Sequence, residues 1–156
     1  MSDAKKGWSA PIFVGLFIVA LSAFAWLLSR AQALPDGPEP VAWDLAACAH
    51  CRMHVGEPRF AAQLQTQDGQ VLYFDDPGCL LRYEAEREPD VHAIWFRHFE
   101  EERWVPKDAV AFVQTSPTPM GYDIAAVERG AQGALSYADA LSRVMSREAG
   151  AMGAAR

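Results

Sequence analysis

Phe60-Ala61-Ala62-Gln63-Leu64-Gln65-Thr66-Gln67-Asp68-Gly69-Gln70-Val71-Leu72-Tyr73-Phe74-Asp75-Asp76-Pro77-Gly78-Cys79-Leu80-Leu81 changes periodicity once, and that change decides the fold. Phe60, Ala62 and Leu64 alternate with polar or small neighbours, which is the period of a half-buried strand. Val71–Phe74 is a second short β-rich run, and Asp68-Gly69 between the two is a strong hairpin signal. Asp76 is a good helix N-cap and Pro77 a good first helical residue. Leu80, Leu81, Tyr83 and the run to Arg87 then suit a helix of about three turns, ended before Pro89. A hairpin leading directly into a capped helix is the nucleus of an α+β domain.

Working outward, 91–96 and 110–114 read as further strands, and Glu100-Glu101-Glu102 as a solvated turn. Residues 115–122, with Pro117, Pro119 and Gly121, read as a loop. Ser136 and Asp139 resemble a capping box with Asp in place of Glu. Tyr137, Leu141, Val144 and Met145 then share one face of a final helix. The expected fold is a small α+β domain of β-hairpins and short helices over 44–148. A Pro/Gly linker at 34–43 precedes it and a disordered tail at 149–156 follows.

The N-terminal 33 residues have a different character. Ala10 to Leu28 carries no charge and a single polar residue, Ser22. The run is long enough to span a bilayer as one helix. Lys5 and Lys6 precede it, whereas Asp36 and Glu39 follow, so the positive-inside rule places the main domain outside the cytoplasm. Ala31-Gln32-Ala33 also fits a small-x-small signal-cleavage pattern after Ala33. Either as an uncleaved anchor or as a cleaved signal, the segment exports the domain. No cysteine ends the apolar run, which excludes a lipoprotein anchor.

Beyond residue 33 there are 11 Lys and Arg against 19 Asp and Glu, a net charge of −8 with histidine neutral. No basic patch exists to bind nucleic acid. The chain also lacks a nucleophile–base pair in a recognisable setting and a nucleotide-binding loop, which argues for a carrier or binding protein and against an enzyme.

The chemistry concentrates in Cys48-Ala49-His50-Cys51-Arg52-Met53-His54, where two thiols, a thioether and two imidazoles fall within one short segment. Soft sulfur donors with imidazole are what Cu(I) prefers, and hard cations such as Mg²⁺ do not prefer them. Cys48 and Cys51 also admit a structural disulfide or a redox-active Cys-x-x-Cys. If the segment is extended, Met53 points to the same side as the Cys51 thiol, making it a candidate ligand. Cys79 falls in the first turn of the expected helix, where the free N–H groups and the dipole favour a thiolate. His54, Cys79 and Met120, the last on its Pro/Gly loop, complete the candidate donors.

Four blocks together resemble NosL, the nitrous oxide reductase accessory protein family. They are Cys-x-x-Cys-x-Met-x-Val at 48–55, Arg59-Phe60-Ala61-Ala62-Gln63, Phe74-Asp75-Asp76-x-Gly78-Cys79-Leu80 and Thr118-Pro119-Met120-Gly121. Their order and approximate spacing agree from about residue 44 to 128. The resemblance implies an α+β fold related to organomercurial lyase and a periplasmic Cu(I) chaperone anchored to the inner membrane. It also implies partners: nitrous oxide reductase, whose copper centres are assembled, and its membrane transporter complex. It places Cu(I) on Cys48, Cys51 and Met53. This chain departs from many members at Arg52, where they have Gly, and at His98-Phe99, where they have Asp-Tyr. Two other classes stand beside it: a Zn²⁺-stabilised metal-sensing or interaction module, and a thiol-disulfide oxidoreductase.

Overall fold

The computed structural model describes residues 9–31 and 34–154, with side chains over 12–27 and 34–147. The chain divides into two units, 1–34 and 35–156. The first holds helix α1, Ser9–Ala31, whose described side chains are exposed around its whole circumference. Among the described residues no helix is long and apolar enough to cross a membrane. The span expected at 10–28 reaches beyond the described side chains of α1 at both ends. Ala33, the expected cleavage site, lies outside the described residues.

The second unit is α+β, as the sequence predicts. Strands β1 (Ala62–Thr66) and β2 (Val71–Phe74) form the expected hairpin, and Gly69 takes the positive φ of +85° that its turn requires. Phe60 falls instead in a 3-10 turn, Pro58–Phe60. Helix α2, Pro77–Arg87, starts at the Asp76 cap and stops at Glu88, whose left-handed φ of 45° precedes Pro89. Strand β3 (Val91–Arg97) pairs with β1, and β4 (Trp104–Pro106) pairs with β3, giving a four-stranded antiparallel sheet in the order β2-β1-β3-β4. Strands β5 (Val110–Gln114) and β6 (Ile124–Glu128) form a second antiparallel pair. The sequence did not signal β4 or β6. One is three residues long and ends in Pro; the other contains two alanines, a poor strand former, so tertiary pairing makes both.

Leu64, Ile94 and Phe96 face the core with Leu80 and Leu81 of α2, Phe112 and Ile124 of the second sheet, and Val144 of α3, Tyr137–Ala154. The Phe96 and Phe112 rings meet edge-on at 5.2 Å, and Tyr137 packs against both. Half of the expected α3 capping box forms: the Asp139 N–H donates to Ser136 Oγ at 3.2 Å, but the Asp139 carboxylate accepts the Ser136 hydroxyl at 2.6 Å instead of the Ser136 backbone N–H. Ala140 is on the buried face and Met145 is exposed, so that face is rotated from the one the apolar spacing predicts. The backbone of α3 remains helical to Ala154, into the segment expected to be a disordered tail.

The opposite face of the sheet carries an ordered strap where a free linker was expected. The Glu39 N–H donates to Gln63 Oε1, and Gln63 Nε2 donates back to the Glu39 carbonyl, both at 2.9 Å. Gln65 Nε2 donates to the Gly37 carbonyl at 2.7 Å, and Tyr73 Oη to that of Pro40 at 3.0 Å. The glutamine amides act as surrogate peptide groups for a segment whose prolines have no N–H to offer a ladder.

Candidate metal centre

Cys48, Cys51 and Cys79 converge: their three sulfur atoms all lie within 4.8 Å of one another. All three are free thiols. Two elements bring them together. Residues 42–57 fold back on themselves: Ala47 bridges His54, the Cys48 N–H donates to the Met53 carbonyl at 2.8 Å, and the Arg52 N–H to the Cys48 carbonyl at 3.0 Å. This tip docks on the free edge of β2, where the Ala49 N–H donates to the Tyr73 carbonyl at 2.8 Å. Cys79 arrives from the other side, on the third residue of α2.

Local chemistry fixes that geometry. The Asp75 carboxylate accepts from the Gly56 N–H at 3.1 Å, pinning the folded-back segment to the end of β2. Asp76 accepts from the Gly78 N–H at 2.8 Å as helix cap and from the Met120 N–H at 3.1 Å. Glycine is required at 78, because a Cβ there would lie 2.2 Å from Cγ of Tyr122. His50 reaches away from the thiol group to Glu86 of α2, at 3.3 Å.

The electrostatics differ from the expectation of a helix-stabilised thiolate at Cys79. The negative charge belongs on Cys48. Its sulfur accepts from the Cys79 thiol and from the backbone N–H groups of Asp75, Cys51 and His50, and its pKa falls to about 5. Cys79 donates to that sulfur and is buried, so its own pKa is pushed well above the ordinary thiol range. Burial also raises the pKa of Cys51. One thiolate that accepts from a neighbouring thiol and three backbone N–H groups is a preformed acceptor for a cation.

The remaining candidates fall as follows. Met53 is 58 % exposed. The alternation that placed it beside Cys51 requires an extended Arg52, and Arg52 has a left-handed φ of 69°. His54 is exposed. Met120 is 38 % exposed and is tied to the site through Asp76. The sequence favours Met53 over Cys79, because Met53 lies two residues after Cys51 in a segment expected to be extended, whereas Cys79 also reads as an inert buried thiol. The usable signal was the hairpin itself, which returns the chain to its starting edge just before Cys79.

Three thiols in this arrangement hold a metal ion in principle, and no further His, Asp or Glu joins them among the described residues. Cys48 and Cys79 are fully buried, whereas Cys51 is partly open to solvent, which gives the group one accessible side. No protein-family profile, characterised protein or solved structure matches the chain.

Proposed function

We propose that this domain is a carrier of one Cu(I) ion, held by Cys48, Cys51 and Cys79. The convergence of the three sulfurs, with no fourth His, Asp or Glu ligand among the described residues, carries this reading. Three thiolates suit a soft monovalent ion in low coordination, whereas structural zinc usually takes four ligands in a closed tetrahedron. A carrier must release its cargo, and the partly exposed Cys51 gives an exchanging thiol a point of attack. Met53 and Met120, both exposed, offer soft donors along the route out. The resemblance to NosL supplies the physiological setting: an exported, membrane-anchored chaperone delivering copper to nitrous oxide reductase with its membrane transporter complex. Without the protein, the reductase is exported but poor in copper, and cells release nitrous oxide when copper is scarce.

The test is competition. The purified full chain, reduced and in detergent, is offered equimolar Cu(I) and Zn²⁺ against chelators of known affinity. The carrier reading expects one Cu(I) per chain, exchanged to a competing thiol within minutes. Tightly retained Zn²⁺ would favour a structural module.

The low pKa of Cys48 favours one second reading, a thiol-disulfide oxidoreductase using Cys48 as nucleophile and Cys51 as resolving thiol. A reversible two-electron couple in protein that ignores both metals would favour it.

A further inference from the structure

Away from the thiols, a cleft of about 420 Å³ opens between the Pro58–Phe60 turn and residues 115–119. A second hollow of about 270 Å³, reaching Arg97 and the 98–102 turn, shares Glu57, Arg59 and Phe99 as walls. No cysteine lines either one. The larger is within the size range of small-ligand sites.

Its walls combine apolar surface with one fixed cation. The Phe60 and Phe99 rings lie 5.5 Å apart, and Pro117 and Pro119 stand opposite. The Arg59 guanidinium is 4.3 Å from the Phe99 ring centre and 5.9 Å from that of Phe60. Stacking holds the guanidinium plane and leaves its N–H edge free to bond in that plane.

Arg59 has no carboxylate partner among the described residues, although the domain has a large excess of acids. Arg82, Lys107 and Arg147 each have one, and Arg103 has two. Glu57 is two residues from Arg59 and shares the cleft without pairing to it. Arg97, at the second hollow, has a buried Nε with no acceptor and lies over Trp104 at 5.5 Å. Arg59 and Arg97, each beside an aromatic ring, thus border the two hollows; Glu57, Glu100, Glu101 and Glu102 line the smaller one, so the larger cleft is the side suited to an anion.

We propose that the larger cleft binds a carboxylate borne on an apolar group. Arg59 pairs with the carboxylate, while Phe99 and the two prolines take the apolar part. The carboxylate has two sources, a free small acid or the C-terminus of a protein chain. A chain end would run on toward the second hollow, where its backbone N–H groups would meet the carboxylates of Glu57, Glu100, Glu101 and Glu102. The proposal is independent of the metal reading.

The test uses the full chain in detergent and two probes, N-acetyl-phenylalanine and its uncharged amide, followed by calorimetry and amide chemical shifts. The acid is expected to bind at least ten-fold more tightly than the amide, with shifts centred on Phe99 and Thr118. Arg59→Gln should remove that preference and leave Cu(I) stoichiometry unchanged; Arg59→Lys, which keeps the charge, should retain part of it. Equal binding of acid and amide, shifts elsewhere, or a preference that survives Arg59→Gln would overturn the proposal. N-acetyl-Gly-Gly-Phe separates the sources: ten-fold tighter binding than the single residue assigns a chain end, and equal binding assigns a free acid.

Discussion

The Asp76 carboxylate joins Met120 to the first turn of α2, accepting the Met120 N–H on Oδ2 at 3.1 Å while Oδ1 accepts the Gly78 N–H at 2.8 Å. A single buried side chain therefore holds both the helix that carries Cys79 and the loop that carries Met120. Asn caps helices as well as Asp does, but its one carbonyl oxygen cannot serve both donors. Asp76→Asn should keep the helix and speed hydrogen exchange at the Met120 amide at least ten-fold. Asp76→Ala loses both bonds and should cost about 2 kcal/mol. Unchanged protection at Met120 in Asp76→Asn would show that something else holds the loop.

Gly78 and Tyr122 make the second contact between these elements. With a Cβ placed 2.2 Å from the ring, Gly78→Ala forces the loop off the helix and should destabilise the domain by about 1–3 kcal/mol. Adding Tyr122→Gly removes the obstacle, since the Tyr122 Cβ itself would lie 2.6 Å from the new methyl group. The double variant should therefore be less destabilised than the sum of the two singles, a coupling that urea unfolding measures directly. Additive costs would place the strain elsewhere.

The thiols predict a defined pH dependence in the metal-free protein. Cys48 has its folded pKa lowered from 9.0 to about 5. The folded state therefore binds fewer protons there than the unfolded chain. The resulting stabilisation is fully present above pH 9 and is lost as pH falls toward 5. Cys51 and Cys79 are shifted upward, so their contribution has the opposite sign: present below 9.0 and lost as pH rises past it. Thiolate absorbance should show one group titrating near pH 5 and no second one below pH 9. Cys79→Ala removes the thiol that donates to Cys48 and should move the midpoint upward. An unmoved midpoint would mean that the backbone N–H groups alone stabilise the charge.

The strap makes a separate prediction. Gln63→Ala removes both bonds to Glu39, worth about 2 kcal/mol together. Cleavage within 35–41 by a nonspecific protease should accelerate. Equal cleavage rates in variant and parent would mean that Gln65 and Tyr73 suffice to hold the segment.

Much of the fold was legible because local signals agreed with tertiary demand. Asp68-Gly69, Asp76-Pro77 and Ser136–Asp139 are each a turn or cap whose chemistry is complete within a few residues; the first two formed as expected, and Ser136 caps α3 without the full reciprocal box. The strap was not legible, because its partners Gln63 and Gln65 are polar residues in a strand and only the folded sheet shows what they bind. The metal group was half legible. Cys48 and Cys51 stand out by spacing, but Cys79 reaches them only through the fold, and the extended backbone that would set Met53 beside Cys51 is absent at Arg52. A left-handed φ at a non-glycine residue leaves no mark in a side-chain pattern. The charge on Cys48 was likewise hidden, since three of its four donors are backbone N–H groups or neighbours in the loop rather than side chains a sequence would flag.

The most direct test of the three-sulfur site is the copper X-ray absorption spectrum of the Cu(I)-loaded full chain, beside those of Cys79→Ser and Met53→Leu. The account predicts a single shell of three sulfurs in the parent. Cys79→Ser should lose one sulfur and at least 100-fold in Cu(I) affinity, while Met53→Leu should leave the shell and the affinity unchanged. A Cys79→Ser protein with three sulfurs and parental affinity, together with a Met53→Leu protein that loses both, would contradict it and return the ligand set to Cys48, Cys51 and Met53.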